Sequence, residues 1–306
     1  MRSEKTRIDA CRAKRLIVTA DDFGLSVPVN EAVERAHREG VLSAASLMVG
    51  APAADDAVAR ARKLPSLGVG LHLTLLDGCP VLPPDRISGL IGSDGRFFND
   101  PIRFGVALYL SRGLQRQANA EVEAQFARFA ATGLKLDHVN GHRHFHMHPV
   151  VLRSVLEFAP RYGRPPVRIP FEPFMPSFKA SGNRAFGRLL SSVFYFAQTQ
   201  RMRRSLREAQ VPSNDRVFGL NDSGALTETL FLGLIDQLPG GVSEIYCHPA
   251  TRRWEGTDTI PARYRPEGEL AALLSPAVKR AIEDRGLRSL SYRAALDSAD
   301  EDHQTE

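Results

Sequence analysis

The sequence predicts an α/β protein built as a (β/α) barrel, irregular or incomplete, with about seven parallel strands. Three observations lead there. Short apolar or β-branched runs alternate with segments of helical length, and the intervals between runs suit parallel crossovers. Ionisable and polar residues recur where those runs end: Asp21 and Asp22, His72, a histidine cluster at 138–148, Arg168, Asn221 with Asp222, and His248. Barrel active sites gather at the C-terminal ends of strands. A doubly wound sheet would collect ligands there too, but no Gly-rich fingerprint follows the first run.

The first element, 15–20 (RLIVTA), reads as a buried strand that runs directly into Asp21-Asp22-Phe23-Gly24. Ser26-Val27-Pro28 has the form of a helix start, and the amphipathic pattern continues to about Gly40. Residues 44–49 predict a second strand, followed by Pro52 and an alanine-rich helix to Leu64. GVGLHLTL, 68–75, predicts a third strand carrying His72. Residues 77–104, rich in Gly, Pro and Asp, read as a long loop, which in a compact domain is more often functional than idle. A helix over 114–132 ends at Gly133.

LDHVNGHRHFHMHP, 136–149, holds five of the nine histidines. Read as an extended segment, it puts His142, His144 and His146 on one face, and Pro149 opens a helix over 149–162. Further strands are expected at 166–171 and 216–221, a helix at 226–238, and a strand at 242–246 leading into Cys247-His248-Pro249. One long helix over 267–285 and a short strand at 290–292 complete the series.

Composition sets the frame. With 43% hydrophobic and 25% charged residues the chain has ordinary globular values, and no linker or repeat divides it. A single domain over 1–306 is expected, with 1–14 and 298–306 as flexible tails and 173–215 as a basic amphipathic insertion. Cys11, Cys79 and Cys247 lie far apart without a CxxC pair, which argues against a disulfide framework or a thiolate zinc site. The polar N-terminus and the lack of a membrane-length apolar stretch make the cytoplasm the expected location.

Two adjacent carboxylates after a buried strand repel each other and need a stabilising partner. A metal held by one, with the other as a working proton acceptor, is one answer; a capped turn is the alternative. His72 alone would read as a core histidine. Beside Asp22 and His142, also at strand ends, it completes a set of one carboxylate and two imidazoles that leaves coordination positions for water and substrate. Asp21 is then the candidate general base. His248 is the candidate acid or oxyanion partner, against a plain turn histidine before proline. His144 and His146 orient ligands from behind or shape the substrate site. Arg168 holds a substrate carboxylate or hydroxyls, or else forms a surface salt bridge. Such a donor set accepts Mg, Mn, Zn, Co or Ni.

ADDFGLS (20–26), GLHLTL (70–75), the HxHxHxxP pattern at 142–149 and EIYCHP (244–249) together resemble the YdjC-like carbohydrate deacetylases, of which chitooligosaccharide deacetylase is the best understood type. The four motifs occur in family order across most of the chain. The resemblance implies a polysaccharide-deacetylase-like barrel, one divalent metal, Mg by preference, and removal of an acetyl group from an N-acetylated sugar. Carried over by motif, Asp22, His72 and His142 are the metal ligands, Asp21 the base and, by a more distant analogy, His248 the acid. The family's Asp-Ser-His reads Asn140-Gly141-His142 here, with Asp137 earlier, which changes the local hydrogen bonding. LDHVNGHRHFHMHP, AASLMVGAPAADDAVARARKLP and VRIPFEP are similar to one branch, the hopanoid-biosynthesis-associated deacetylases, whose implied substrate is an N-acetylglucosaminyl hopanoid lipid. Soluble N-acetylated oligosaccharides and a non-catalytic glycan- or lipid-binding role are the alternatives.

Residues 173–207 carry seven basic residues, among them Arg201, Arg203, Arg204 and Arg207, and no acidic one. Phe186, Leu189, Leu190, Val193, Phe194 and Ala197 follow helical spacing within that stretch. This reads either as a surface helix leaning on an anionic membrane from its inner face or as an ordinary barrel helix. No RNA or DNA motif accompanies the arginines, so nucleic acid is not an expected partner. A homodimer is left open.

Overall fold

The strand that sets the architecture is β1 (Lys14–Phe23), whose residues are buried along almost its whole length. The computed structural model describes residues 12–254 and 260–297. Of the expected tails, 1–11 and 298–306 lie outside those residues, whereas Lys14 already begins β1. β1 pairs on one side with β2 (Ala44–Leu47) and on the other with β6 (Gly241–Cys247). Outward from these come β3 (Gly68–Leu73), β4 (Val139–Gly141) and β5 (Arg216–Phe218). The sheet order is β4-β3-β2-β1-β6-β5 and every pairing is parallel. Strands buried on both faces explain why RLIVTA and GVGLHL read as unbroken apolar runs.

The expected barrel is present in incomplete form. The segment 166–171 lies between the two edge strands, as one bridge rather than a ladder. Arg168 N–H donates to the Val139 carbonyl of β4 and Val217 N–H of β5 to the Phe171 carbonyl. Pro166 and Pro170 have no N–H to give, which is why a full strand fails there. The strand expected at 290–292 is likewise reduced to a bridge, Leu16 with Ser289.

The helices follow their caps. α1 (Val27–Glu39) starts at Ser26, whose side chain accepts from Val29 N–H, and α2 (Ala54–Ala61) follows β2. The expected loop at 77–104 gives way at its end to α3 (Pro101–Leu110), capped by Asp100 and placed before α4 (Arg112–Ala131). α5 (Pro149–Phe158), α6 (Phe174–Ser181), α7 (Ala185–Glu208) and α8 (Glu228–Asp236) come next. The single helix expected over 267–285 is two, α9 (Pro266–Leu273) and α10 (Pro276–Glu283). Pro276 cannot continue a helix, and Ser275 caps the new one.

Among the described residues no helix is long and apolar enough to cross a membrane. Cys79 and Cys247 are free.

Candidate active site

The two carboxylates reach one cleft because β1 is irregular. Ala20 stands opposite Ala45 and Phe23 opposite Leu47, so β1 spends one more residue than β2 over the same span. Neighbouring side chains of a regular strand point to opposite faces; the extra residue breaks that alternation. Asp22 takes the left-handed conformation at φ 63°, and Gly24 follows at φ 95°. Both Asp21 and Asp22 thereby line a cleft of about 1060 Å³.

Asp22 meets two imidazoles. Its Oδ1 lies 3.0 Å from Nδ1 of His142 and 3.2 Å from Nε2 of His72. The ligand atoms of Asp22, His72 and His142 fall within 4.8 Å of one another. The donor set fits a divalent cation. Nδ1 of His72 lies 2.6 Å from Oδ1 of Asn140, an acceptor, which puts the ring proton on Nδ1 and leaves the Nε2 lone pair facing a carboxylate oxygen. Two such acceptors repel unless a cation sits between them. Burial works to keep Asp22 neutral, but the charge and hydrogen bond of His142 outweigh it and hold the carboxyl well below its usual value. His142 is shifted up: Asp22 and Asp77 outweigh its burial.

Asp21 stands apart from that trio, in the grip of Arg168. The guanidinium is fully buried and donates to Asp21 from Nη1 at 2.6 Å and Nη2 at 3.0 Å. On its other side it donates to Glu244, from Nε at 2.8 Å and Nη2 at 2.5 Å. Burial would raise the Asp21 carboxyl; the charge and hydrogen bonds of Arg168 win and hold it far below its usual value. Arg168 therefore lies behind the base and does not line the cleft where a substrate-holding arginine was expected. Nor is it a surface salt bridge.

The histidine segment does not stay extended. β4 ends at Gly141, and His142–Met147 forms a tight 3₁₀ turn with Arg143 and His144 left-handed at φ 52° and 56°. The expected shared face is lost, and each histidine takes a separate place. His142 joins Asp22. His144 Nε2 lies 3.2 Å from the Tyr246 hydroxyl, and His146 Nε2 lies 2.9 Å from the Arg168 carbonyl. Burial pushes His146 down to about 3 and His144 well below its usual value. His148 caps α5, accepting from Val150 N–H. His138 is fully buried, beside Ser46 of β2.

His248 lines the cleft at the end of β6, with its backbone N–H held by Glu269. Burial depresses its pKa against the pull of Asp22 and Asp21, which favours the neutral ring. Its Nδ1 is buried and has no partner among the described residues. Aromatic side chains line the cleft, Tyr195, Tyr246, Trp254 and Tyr264 among them, with Arg143 and Asp77 paired at its edge at 2.7 Å.

Arg201, Arg203, Arg204 and Arg207 are remote from this chemistry. Arg203 is tied to the Asn214 and Asp215 carbonyls, Arg204 pairs with Glu208 one turn on, and Met202 and Leu206 bury that end of α7. The apolar residues expected to pack inward or meet lipid are exposed: Phe186 is 79%, Val193 63% and Phe194 60% accessible. Over 185–197 the residue turned inward is Arg188, bonded to Asp222 and Ser177. Sequence reasoning missed Asn140 as a partner of His72, and also Glu244 and Tyr246. A charged residue inside the run GVSEIYC was the available signal for Glu244.

Known proteins resemble this chain along most of its length. The family described as YdjC-like protein matches residues 15–284. A carbohydrate deacetylase of Geobacillus stearothermophilus is 31% identical over 281 residues, covering 90% of this chain and 96% of that protein. A carbohydrate deacetylase of Brevibacillus brevis is 43% identical over 157 residues, a stretch covering 51% of this chain and 60% of that relative's length. A crystal structure from Enterococcus faecalis V583, of a protein named for cellobiose-phosphate cleavage, superposes with a TM-score of 0.69 at 25% identity, covering 93% of this chain and 99% of that one. With a family match over most of its length and a relative aligned nearly end to end, the chain belongs to the YdjC-like protein family.

Proposed function

We propose that the chain is a metal-dependent carbohydrate N-deacetylase, one catalytic domain whose substrate is an N-acetylated amino sugar carried on a lipid. The observation that carries the reaction is the division of labour between adjacent carboxylates. Asp22 faces two imidazoles, while Asp21, locked to Arg168, remains ionised and lines the cleft wall. Relatives named carbohydrate deacetylases support the same chemistry.

Asp22, His72 and His142 would hold the cation, whose contribution is a more acidic water and a polarised acetyl carbonyl. Asp21 takes the proton from the attacking water, and Arg168 keeps the carboxylate charged and aimed. His248 offers an N–H to the departing amine or to the oxygen on which charge develops. The C–N bond breaks, acetate leaves, and the proton that Asp21 took from the water passes to the sugar nitrogen, while the neutral His248 ring hydrogen-bonds without giving up its own. Tyr195, Trp254 and Tyr264 give flat apolar faces against which a sugar ring packs.

The lipid part rests on the surface beside the cleft. α7 lends Ser191 and Tyr195 to the cleft while exposing Phe186, Leu190, Val193 and Phe194 to solvent. α3 exposes Ile102, Val106, Tyr109 and Leu110, and it meets the histidine turn through Phe104 on Phe145. Apolar residues in that density beside a polar cleft suit a lipid-borne sugar at a membrane surface, with the acid-free stretch 173–207 favouring anionic headgroups. An N-acetylglucosaminyl hopanoid is the substrate to which the sequence resemblance points. The experiment is acetate release by metal-loaded protein from an N-acetylglucosaminyl lipid and from N-acetylated chitooligosaccharides, with Asp21→Asn as control. Release from the lipid supports the whole reading. Release from the soluble sugars alone removes the lipid and keeps the reaction. No release from either, with metal bound, overturns the deacetylase.

A further inference from the structure

A line of buried polar groups runs along one face of β3, from the strand's N-terminal end to the candidate metal centre. Gly68, Gly70 and His72 alternate along β3 and so share a face. A Cβ on Gly68 would come within 2.6 Å of Asp137 Oδ2, and one on Gly70 within 2.4 Å of His138 Nε2. The two glycines leave the space through which His138 reaches Ser46 on β2. Asp137, His138, Ser46 and Asn140 are all buried, and the reaction derived above uses none of the first three.

The order of donors and acceptors along the line follows from its first member. Asp137 accepts backbone N–H groups from Tyr292 at 3.0 Å and Arg293 at 3.2 Å, and the His138 Nδ1–H at 3.0 Å. An ionised carboxylate only accepts, so the proton of a neutral His138 sits on Nδ1 and its Nε2 is an acceptor. Ser46 Oγ, 3.0 Å away, gives Nε2 its proton. Its oxygen is left to accept from Asn140 Nδ2 at 2.8 Å. The same Nδ2 donates to Asp21 at 3.1 Å, so Oδ1 of Asn140 must face His72 Nδ1. The Nε2 lone pair of His72 is what remains for a cation.

We infer that Asp137, His138 and Ser46 are positioning residues: a hydrogen-bonded line that fixes the amide orientation of Asn140 and, through it, the tautomer in which His72 presents Nε2 to a divalent cation. The inference rests on the reading of Asp22, His72 and His142 as ligands. Partners of this kind behind a ligating imidazole are worth 10–100-fold in metal affinity in other proteins.

The test compares Ser46→Ala with wild type and with Ser43→Ala, a buried serine near the start of β2 whose hydroxyl bonds to Val18 instead of joining the line. His138→Phe is a second probe, keeping a ring to stack on Tyr292. Two quantities are read: the Kd for Zn²⁺ by chelator competition, and the His72 tautomer in metal-free protein by ¹⁵N NMR. The expected result is an Nδ1–H ring in wild type and Ser43→Ala, a tautomer mixture in Ser46→Ala and His138→Phe, and a Kd raised about tenfold or more in those two. An unchanged tautomer and Kd in Ser46→Ala overturns the line. A wild type that binds no Zn²⁺ would instead sink the metal reading, and the tautomer would still decide whether the line orders His72.

Discussion

Arg168 holds Asp21 by two hydrogen bonds, at 2.6 and 3.0 Å, although 147 positions separate them in the chain. A carboxylate with no exposure to speak of stays charged only through such a partner.

Arg168→Met removes that partner from Asp21 and Glu244 together. It should cost about 3–5 kcal/mol of stability, as breaking buried ion pairs does elsewhere. Arg168→Lys keeps a charge without the fork. Its expected signature is an acidic limb of kcat/KM that moves to higher pH, since Asp21 loses part of what holds its pKa down. An unmoved limb in the folded Lys variant would separate Asp21 from the base.

Asp21→Asn should leave metal uptake intact, because the Asp22, His72 and His142 ligand atoms are untouched. Turnover should fall about 10²–10⁴-fold, the usual worth of a positioned base. Metal content by elemental analysis and acetate release are measured on the same sample. Near wild-type rates refute the assignment.

His142→Ala takes one of three ligand groups away. The variant should purify with little bound metal, and chelator treatment of wild type should abolish acetate release until a divalent ion is restored. Equal metal content in variant and wild type would move the centre elsewhere.

His146 gives a pH signature in stability. Its folded value is pushed down to about 3, below the ordinary histidine value of about 6.5, so the unfolded chain binds the proton more readily. The folded state is therefore fully favoured above about pH 6.5 and loses stability as pH falls from there toward the folded value. Between pH 6.5 and 5 the loss should be on the order of 2 kcal/mol in denaturant unfolding. His146→Gln should flatten that slope; an identical slope would mean that other groups govern it.

On α7, Val193→Ser with Phe194→Ser should weaken binding to phosphatidylglycerol vesicles several-fold, with kcat on a soluble N-acetylated sugar unchanged, since neither residue lines the cleft. Vesicle binding equal to wild type would return that surface to an ordinary exposed helix face.

The sequence already showed where the chemistry would collect, because charged and imidazole groups at the ends of apolar runs are visible in one dimension. Asp22, His72 and His142 come together as their positions implied. What escaped was conformation at single residues. Nothing in HRHFHM announced that Arg143 and His144 would turn left-handed and scatter the histidines. Pro166 and Pro170 did foretell a weak strand, and Pro276 a broken helix, but apolar periodicity outweighed them in the reading. The partner of Asp21 was unreadable for another reason. Arg168, Glu244 and Tyr292 lie on three distant segments, and only closure of the sheet brings them together.

The extra residue in β1 has a consequence for how such a site is lost or kept in descent. Alternation along a strand is a matter of parity, and one residue too many is what turns both aspartates toward the cleft. A one-residue deletion between Ala20 and Phe23 takes out Asp21 or Asp22 itself, restores parity, leaves a buried strand able to pair with β2 and β6, and silences the reaction at a stroke. Catalytically dead descendants of this architecture would then be recognised by chain length at one position, even where every histidine survives.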